Sequence, residues 1–324
     1  MKNIGVLTSG GDAPGMNAAI RAIVRTSIYN GRDIYGIYEG YHGLIEGDIF
    51  KMQASDVSNI IQRGGTILRS ARSQKFLEKK HRQKAYKNLC SKDIGSLIVI
   101  GGDGTFKGAC EFKNEYPDIN IIGIPSTIDN DLYGTDYTIG FDTACNTVVE
   151  AVDKIRDTAS SHSRIFFVEV MGRDAGYIAL YTGIANGAEE ILIPETKTNI
   201  DDLVDNIKNR WRINKKSSII IVAEGEETGG AVKVSQIVKE KLPDYEIRYT
   251  ILGHIQRGGN PTMRDRLNAS RMGYHAVKSL IIGEDKIMIG IMNDQIVKIP
   301  LERAVKNFKA VDKDLIEMMY ILAI

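Results

Sequence analysis

The chain has 324 residues, 43% of them hydrophobic and 26% charged, which is enough to bury one large core or two smaller ones. Forty-two Lys and Arg against 41 Asp and Glu leave a formal charge of +1, so no bulk field grips nucleic acid or an acidic membrane, and any anion site must be local. The opening MKNIGVLTSGG lacks the basic and apolar regions of a secretory signal, and no later stretch offers the roughly 18 uninterrupted apolar residues of a spanning helix; a soluble, cytoplasmic protein is expected.

Short apolar runs at Ile4–Leu7, Leu97–Ile100, Ile121–Ile124, Ile165–Val170 and Ile219–Ala223 alternate with helical patterns. Several end in glycine-rich turns, which is how buried parallel strands read. After the first run, Met16, Ile20, Ile23 and Val24 recur at helical spacing, with Arg21 and Arg25 on another face of the same helix. Lys79–Lys84 (KKHRQK) is the densest basic segment; lacking interleaved aromatics, it reads as a solvated helix face rather than a nucleic-acid patch. Cys90, Cys110 and Cys145 form no CxxC pair, so they suggest neither a disulfide framework nor a zinc knuckle and are expected to be small buried hydrophobes. The alternation restarts after about residue 140, where GFDTACNTVVEAVDKIRDTA gives a helix bearing Val148, Val149, Val152 and Ile155 ahead of the strand IFFVEV. Two α/β layers in series follow. The apolar tail Leu315–Ile324 is too short to span a bilayer and is expected to dock on the body or on a neighbouring subunit.

Three strand-end loops carry candidate chemistry. GGDAPGMN, Gly10–Asn17, lies between a strand end and a helix start, where backbone N–H groups and the helix dipole favour phosphate, although such turns also occur for the turn alone. GGDGT, Gly101–Thr105, sets Asp103 among exposed amides; this suits magnesium completed by phosphate oxygens, or an Asp that caps the next helix. PSTIDND, Pro125–Asp131, places Asp129 and Asp131 at the carboxyl edge of a strand, where ligands gather in open α/β sheets. Phosphoryl transfer to a hydroxyl needs a carboxylate to take the proton and a metal to offset charge, and Asp129, Asp131 and Asp103 supply such groups. Two carboxylates in one loop also suit an Asx-type turn, but three such loops in one chain favour the chemistry. Arg72, Arg164, Arg173, Arg248, His254 and Arg257 form a dispersed basic set; Arg164, Arg173, His254 and Arg257 flank apolar strands or glycine turns, where they suit phosphate oxygens.

GGDAPGMNAAIR, GGDGT, TIDND, MGR, AEG and GHIQRGG, in this order and spacing, resemble the bacterial-type ATP-dependent 6-phosphofructokinases over nearly the whole chain. The resemblance implies an α/β fold of two Rossmann-like three-layer domains with mostly parallel sheets. Residues 1–140 with about 258–305 would bind ATP, 141–257 would bind fructose 6-phosphate, and 306–324 would be the docking tail. It further implies that Gly11, Arg72, Ser73, Gly102, Asp103, Gly104 and Thr105 hold ATP and that Asp103 binds Mg2+. Asp129 would be the general base, with Thr127, Asp131, Arg173 and Arg72 completing the catalytic set. Thr127, Ile128, Asp129, Met171, Gly172, Arg173 and Glu224 would hold the sugar, while Arg164, Arg248, His254 and Arg257 would surround its 6-phosphate. Arg164 and Arg248 would reach in from a neighbouring subunit of a homotetramer, so that active sites are shared.

Position 126 is Ser, where ATP users of the family typically have Gly and pyrophosphate users Lys; Gly104 leaves room for the inner phosphate of a nucleotide and argues for ATP. The alternatives are a pyrophosphate-dependent or a tagatose 6-phosphate kinase of the same fold. For an ADP or phosphoenolpyruvate effector the resemblance implies Arg21, Arg25, Arg156, Glu189 and Lys215. Ile213, Asn59 and Ala54 depart from that pattern, and a weak response to phosphoenolpyruvate is expected.

Overall fold

In a computed structural model, residues 3–212 and 217–322 are described. The β-branched runs form strands, and the helical stripes between them form the cover. In chain order these are β1 (Asn3–Thr8), α1 (Met16–Tyr29), β2 (Ile34–Ile37), α2 (Gly40–Glu46), β3 (Ile49–Lys51), α3 (Lys79–Ser91), β4 (Ile94–Gly101), α4 (Asp103–Glu115), β5 (Asn120–Pro125) and α5 (Phe141–His162). Next come β6 (Arg164–Val170), α6 (Tyr177–Ala185), β7 (Glu190–Leu192), α7 (Ile200–Arg212), β8 (Ser218–Ala223), α8 (Gly230–Lys241) and β9 (Glu246–Ile251). The chain closes with α9 (Met263–Ile281), β10 (Ile287–Met292), β11 (Gln295–Pro300), α10 (Leu301–Lys306) and α11 (Lys313–Leu322).

Two units result. Unit 1 comprises Met1–Ile128, Leu132–Thr143 and Arg257–Lys309; unit 2 comprises Asp129–Asp131, Ala144–Gln256 and Ala310–Ile324. Unit 1 is built on the seven-stranded sheet β11-β10-β5-β4-β1-β2-β3, parallel except for the edge strands β3 and β11. Side chains alternate across it. Leu7, Leu97, Val99 and Ile121 meet Leu89, Phe106, Phe112 and Leu301 on one face, so the intervening Val6, Ile98 and Ile122, equally buried, point to the other. There α1 packs on α9 closely enough that a Cβ on Gly273 would lie 2.7 Å from the Ala19 carbonyl oxygen.

Unit 2 is built on the all-parallel sheet β7-β8-β6-β9. Ile165, Phe167, Ile220 and Val222 pack with Leu203, Ile207, Val234 and Val238 of α7 and α8. The C-terminal α11 docks on α6 and β7, although Tyr320, Ile321 and Leu322 stay exposed. β9 is an edge strand, with Tyr249 and Ile251 also exposed.

Two sequence expectations need correction. Cys110 and Cys145 are only half-buried, and Cys90 is exposed because the inward face of α3 is set by Ala85 and Leu89 and the next residue is turned about 100° away. Within the basic run, Arg82 is buried: its Nε and Nη2 donate to Glu115 at 2.9 and 2.7 Å, and its Nη1 donates to the Phe76 and Leu77 carbonyls at 2.9 and 2.7 Å. The bidentate bond holds Glu115 below, and Arg82 above, their ordinary pKa ranges. Replacing Glu115 by Ala strands this guanidinium in the interior and is expected to lower the unfolding free energy by about 3 kcal/mol in urea denaturation at pH 7. A loss under about 1 kcal/mol would show that the pair is dispensable.

Candidate active site

Parallel pairing brings the ends of β1, β4 and β5 side by side in unit 1. The Ser9 N–H donates to the Ile100 carbonyl at 3.0 Å, and the Ser126 N–H donates to the Gly101 carbonyl at 3.0 Å. The Thr105 hydroxyl donates back to the Ser9 carbonyl at 3.0 Å, joining the first two loops. Arg257 Nη1 donates to the Asp12 carbonyl at 3.2 Å, and a Cβ on Gly11 would collide with that guanidinium. A side chain at Gly11 would have to push that guanidinium aside. Gly104 is different: a Cβ there would meet nothing within 4 Å, so packing in the fold does not require a glycine at this position.

Asp103 opens α4, with its carboxylate 2.6 Å from Lys107 Nζ and its side chain 40% exposed. Gly102 is the N-cap of the same helix. Among the described residues no group of three His, Cys, Asp or Glu side chains is placed to hold a metal ion. An accessible lone carboxylate at a helix start fits a magnesium ion that takes its remaining oxygens from a polyphosphate and water. Arg72 is exposed and Ser73 half-buried, just ahead of a short 3-10 helix at Gln74–Leu77, and the Ser73 hydroxyl has no hydrogen-bond partner. Thr127 accepts at its carbonyl from the Thr138 hydroxyl at 2.5 Å, and Ile128 is fully buried.

Unit 2 carries the rest. Asp129 is 3% exposed, and Arg173 Nε lies 3.9 Å from its carboxylate. Asn130 adopts φ 53°, a left-handed turn that Asn tolerates, between Asp129 and the half-buried Asp131. Gly172 (φ 145°) and Arg173 (φ 52°) are also left-handed, and at Arg173 that conformation costs about 1–3 kcal/mol. Glu224 holds it there, accepting the Arg173 N–H at 2.8 Å and the Gly172 N–H at 3.3 Å. The fully buried Gln256 adds a bond from the Met171 N–H at 3.2 Å.

Arg164 and Arg248 come together through a residue that sequence reasoning missed. Parallel register sets Arg164 beside Glu246, whose carboxylate accepts from Arg164 Nε at 2.9 Å and from Arg248 Nη2 at 2.8 Å. Desolvation opposes ionisation of Glu246, but the two guanidiniums outweigh it and hold its pKa below the ordinary range. The alternation Glu-x-Arg along β9 was the signal available in the sequence. His254 is exposed on the turn Gly253–Arg257.

Of the expected effector residues, Arg21 and Arg25 lie on α1 of unit 1. In unit 2, Arg156 Nη1 is 3.4 Å from the buried Glu189 carboxylate, which also accepts the Ile219 N–H at 2.6 Å. Lys215 and Ile213 lie outside the described residues.

The fold and these loops define an α/β protein of two mostly parallel sheets, with phosphate-compatible glycine loops and a buried carboxylate at strand ends. Residues 3–280 match the phosphofructokinase family. The chain is 55% identical to a Bacteroides thetaiotaomicron protein named ATP-dependent 6-phosphofructokinase 2, over 100% of this chain and 99% of that protein. Among solved structures it is similar to phosphofructokinase from Saccharomyces cerevisiae, with a TM-score of 0.90 and 39% identity. That match covers 100% of this chain and 48% of the other, so the chain spans about half the length of the yeast one. A pyrophosphate-dependent phosphofructokinase from Marinobacter aquaeolei shares the fold, with a TM-score of 0.86 at 22% identity, over 100% of this chain and 92% of that one. The chain belongs to the phosphofructokinase family.

Asp265, in the first turn of α9, was also missed. It is 2% exposed; one carboxylate oxygen accepts the Gly140 N–H at 2.9 Å, and the other accepts the Thr143 N–H at 2.8 Å and the Thr143 hydroxyl at 2.5 Å. Burial raises its pKa to about 6 against these bonds. A carboxyl raised in the folded state binds its proton more tightly there than when unfolded. Its contribution to stability is therefore fullest below the unfolded value and is lost as pH rises through about 6. Relative to Asp265→Asn, the parent should gain about 2–3 kcal/mol of unfolding free energy between pH 7 and pH 4, read from denaturation series of both proteins. A pH-independent difference would show that the carboxyl does not titrate in this window.

Proposed function

We propose that this chain transfers the terminal phosphoryl group of ATP to the 1-hydroxyl of fructose 6-phosphate, giving fructose 1,6-bisphosphate and ADP. The observation that carries this reading is the buried Asp129 carboxylate, held at a strand end with Arg173 Nε 3.9 Å away, in a chain 55% identical throughout to a protein named for that activity. Asp129 takes the hydroxyl proton as the oxygen attacks in line, with Thr127 and Asp131 orienting the reacting groups. Arg173 and Arg72 place positive charge where the transferring oxygens gain negative charge. No protein nucleophile is needed.

Gly11, Arg72, Ser73 and Gly102–Thr105 hold the nucleotide in this scheme, and the open space at Gly104 supports a nucleotide over a smaller donor. Asp103 would hold Mg2+, which when bound supplies charge neutralisation at the phosphates. Glu224 keeps Gly172 and Arg173, and Gln256 keeps Met171, against the sugar, while Arg164, Arg248, His254 and Arg257 take up the 6-phosphate. The Glu246 carboxylate shared by Arg164 and Arg248 keeps the two guanidiniums together until a phosphate replaces it as their partner. A homotetramer with shared active sites, a cytoplasmic location, and weak control by ADP or phosphoenolpyruvate belong to the same reading. Among the described residues no helix is long and apolar enough to cross a membrane.

The test is a coupled assay with ATP or pyrophosphate as donor and fructose 6-phosphate or tagatose 6-phosphate as acceptor. Turnover is expected with ATP and fructose 6-phosphate; preference for pyrophosphate would overturn the donor assignment. Asp129→Ser should lower kcat by about 10²- to 10⁴-fold with ATP affinity little changed, and kcat within threefold of the parent would remove Asp129 as base. Arg248→Ala should raise the KM for fructose 6-phosphate about 10- to 100-fold and leave that for ATP alone, since a charge-assisted contact to phosphate is worth roughly 1.5–3 kcal/mol. Loss of ATP affinity instead would mean that the anion site is misplaced.

A further inference from the structure

The turn at residues 138–143, in unit 1, sits between two of the loops on which the proposed chemistry depends. The Thr138 hydroxyl donates to the Thr127 carbonyl at 2.5 Å, the Ile139 N–H donates to the Pro125 carbonyl at 3.0 Å, and the Ser126 hydroxyl reaches the Ile139 carbonyl at 3.5 Å. On the other side, a Cβ on Gly15 (φ 111°) would come within 2.7 Å of Ile139, and one on Gly140 (φ 102°) within 2.6 Å of Ala13. The turn is thus keyed to both the glycine loop after β1 and the strand end that carries Thr127. It is held by Asp265, whose two carboxylate oxygens accept three hydrogen bonds from Gly140 and Thr143.

Capping α5 alone would not demand this residue. A neutral Ser, Thr or Asn satisfies a helix start almost as well, and the buried site penalises the charged form that three donors require. An amide in the same place would turn its NH2 toward one of those donors. Asp142 is the charged neighbour that adds to the cost. The opening turn of α1, Met16–Ala19, brings no titratable side chain. Arg264 lies over the Tyr137 ring at 4.6 Å, and Arg266 donates to the Pro261 carbonyl at 2.7 Å.

We propose that Asp265, given the phosphoryl-transfer function above, is a positioning residue. Its ionised carboxylate fixes the 138–143 turn and thereby sets Thr127 and the Gly11 loop for the reaction. The parent, Asp265→Asn and Asp265→Glu should be compared by steady-state kinetics with ATP and fructose 6-phosphate, by thermal unfolding, and by amide hydrogen exchange. In Asp265→Asn, kcat should fall about 10- to 100-fold, the cost of a misplacement on the order of 1 Å. Both KM values should stay within about threefold, and the Gly140 and Thr143 amides should exchange at least about tenfold faster. Asp265→Glu, which keeps the charge, should recover part of kcat. A kcat for Asp265→Asn within twofold of the parent, a loss matching only the fraction unfolded at the assay temperature, or unchanged amide protection would each overturn the proposal. A parent inert on both substrates would instead overturn the functional reading on which it rests.

Discussion

The parallel pairing of β1, β4 and β5 is the constraint from which the site in unit 1 follows. Because the three strands run the same way, their carboxyl ends lie at one edge of the sheet, and the loops that leave them are neighbours before any side chain is considered. The ladder itself extends into the loops, since the Ser9 and Ser126 N–H groups continue the β pattern onto the Ile100 and Gly101 carbonyls. Each loop is consequently placed by hydrogen bonds that belong to the core, and only the side chains are left to chemistry. Moving one strand by a residue would displace a loop by about 3.3 Å and reverse the face of every side chain along it. Buried Val6, Leu7, Leu97 and Ile98 make such a shift prohibitive.

Much of this was legible in the sequence, and for a physical reason. Buried parallel strands need continuous apolar runs, and glycine turns at their ends leave a mark wherever backbone must approach backbone, so β1, β4, β5, β6 and β8 and the loops that follow the first three could be read directly. Asp129 stood out because a carboxylate in such a loop serves no apolar core. What stayed hidden were residues whose partners are remote in the chain. Asp265 acts on Gly140 and Thr143 across more than 120 residues, Gln256 on Met171 across 85, and Glu246 on Arg164 across 82. Apart from the Glu-x-Arg alternation at Glu246, nothing in the local pattern distinguishes such a residue from a solvated one. The same blindness explains Arg82, which one turn of α3 buries against Glu115 while its basic neighbours face water. Cys90 is the converse case: its chemistry suggested burial, but helix phase decided its exposure.

A shared carboxylate gives Arg164 and Arg248 a property that neither has alone. Two guanidiniums brought close repel each other, and Glu246 offsets that repulsion while holding both in place. The resulting cluster carries one net positive charge at rest. In the proposed role, an arriving phosphate would not have to drag two mobile arginines into position, so less side-chain entropy would be lost on binding. Arg248 is 57% exposed, and the pairing with Glu246 adds little to stability at such a surface. Under the proposed function its value would lie in pre-organisation.

The left-handed Arg173 makes the complementary point. A non-glycine residue in that region carries strain, which this chain also accepts at Glu39, Arg69, Ser163 and Lys286. At Gly172, immediately before it, a Cβ would collide with the Ala175 carbonyl oxygen. Glu224 accepts from the Arg173 and Gly172 N–H groups, which steadies the strained backbone. The turn leaves Arg173 Nε within 3.9 Å of the Asp129 carboxylate, and under the proposed phosphoryl transfer a cation there would meet developing charge. In the proposed reaction the placement of this guanidinium would be what the segment provides, with Glu224 offsetting part of the strain that the placement carries.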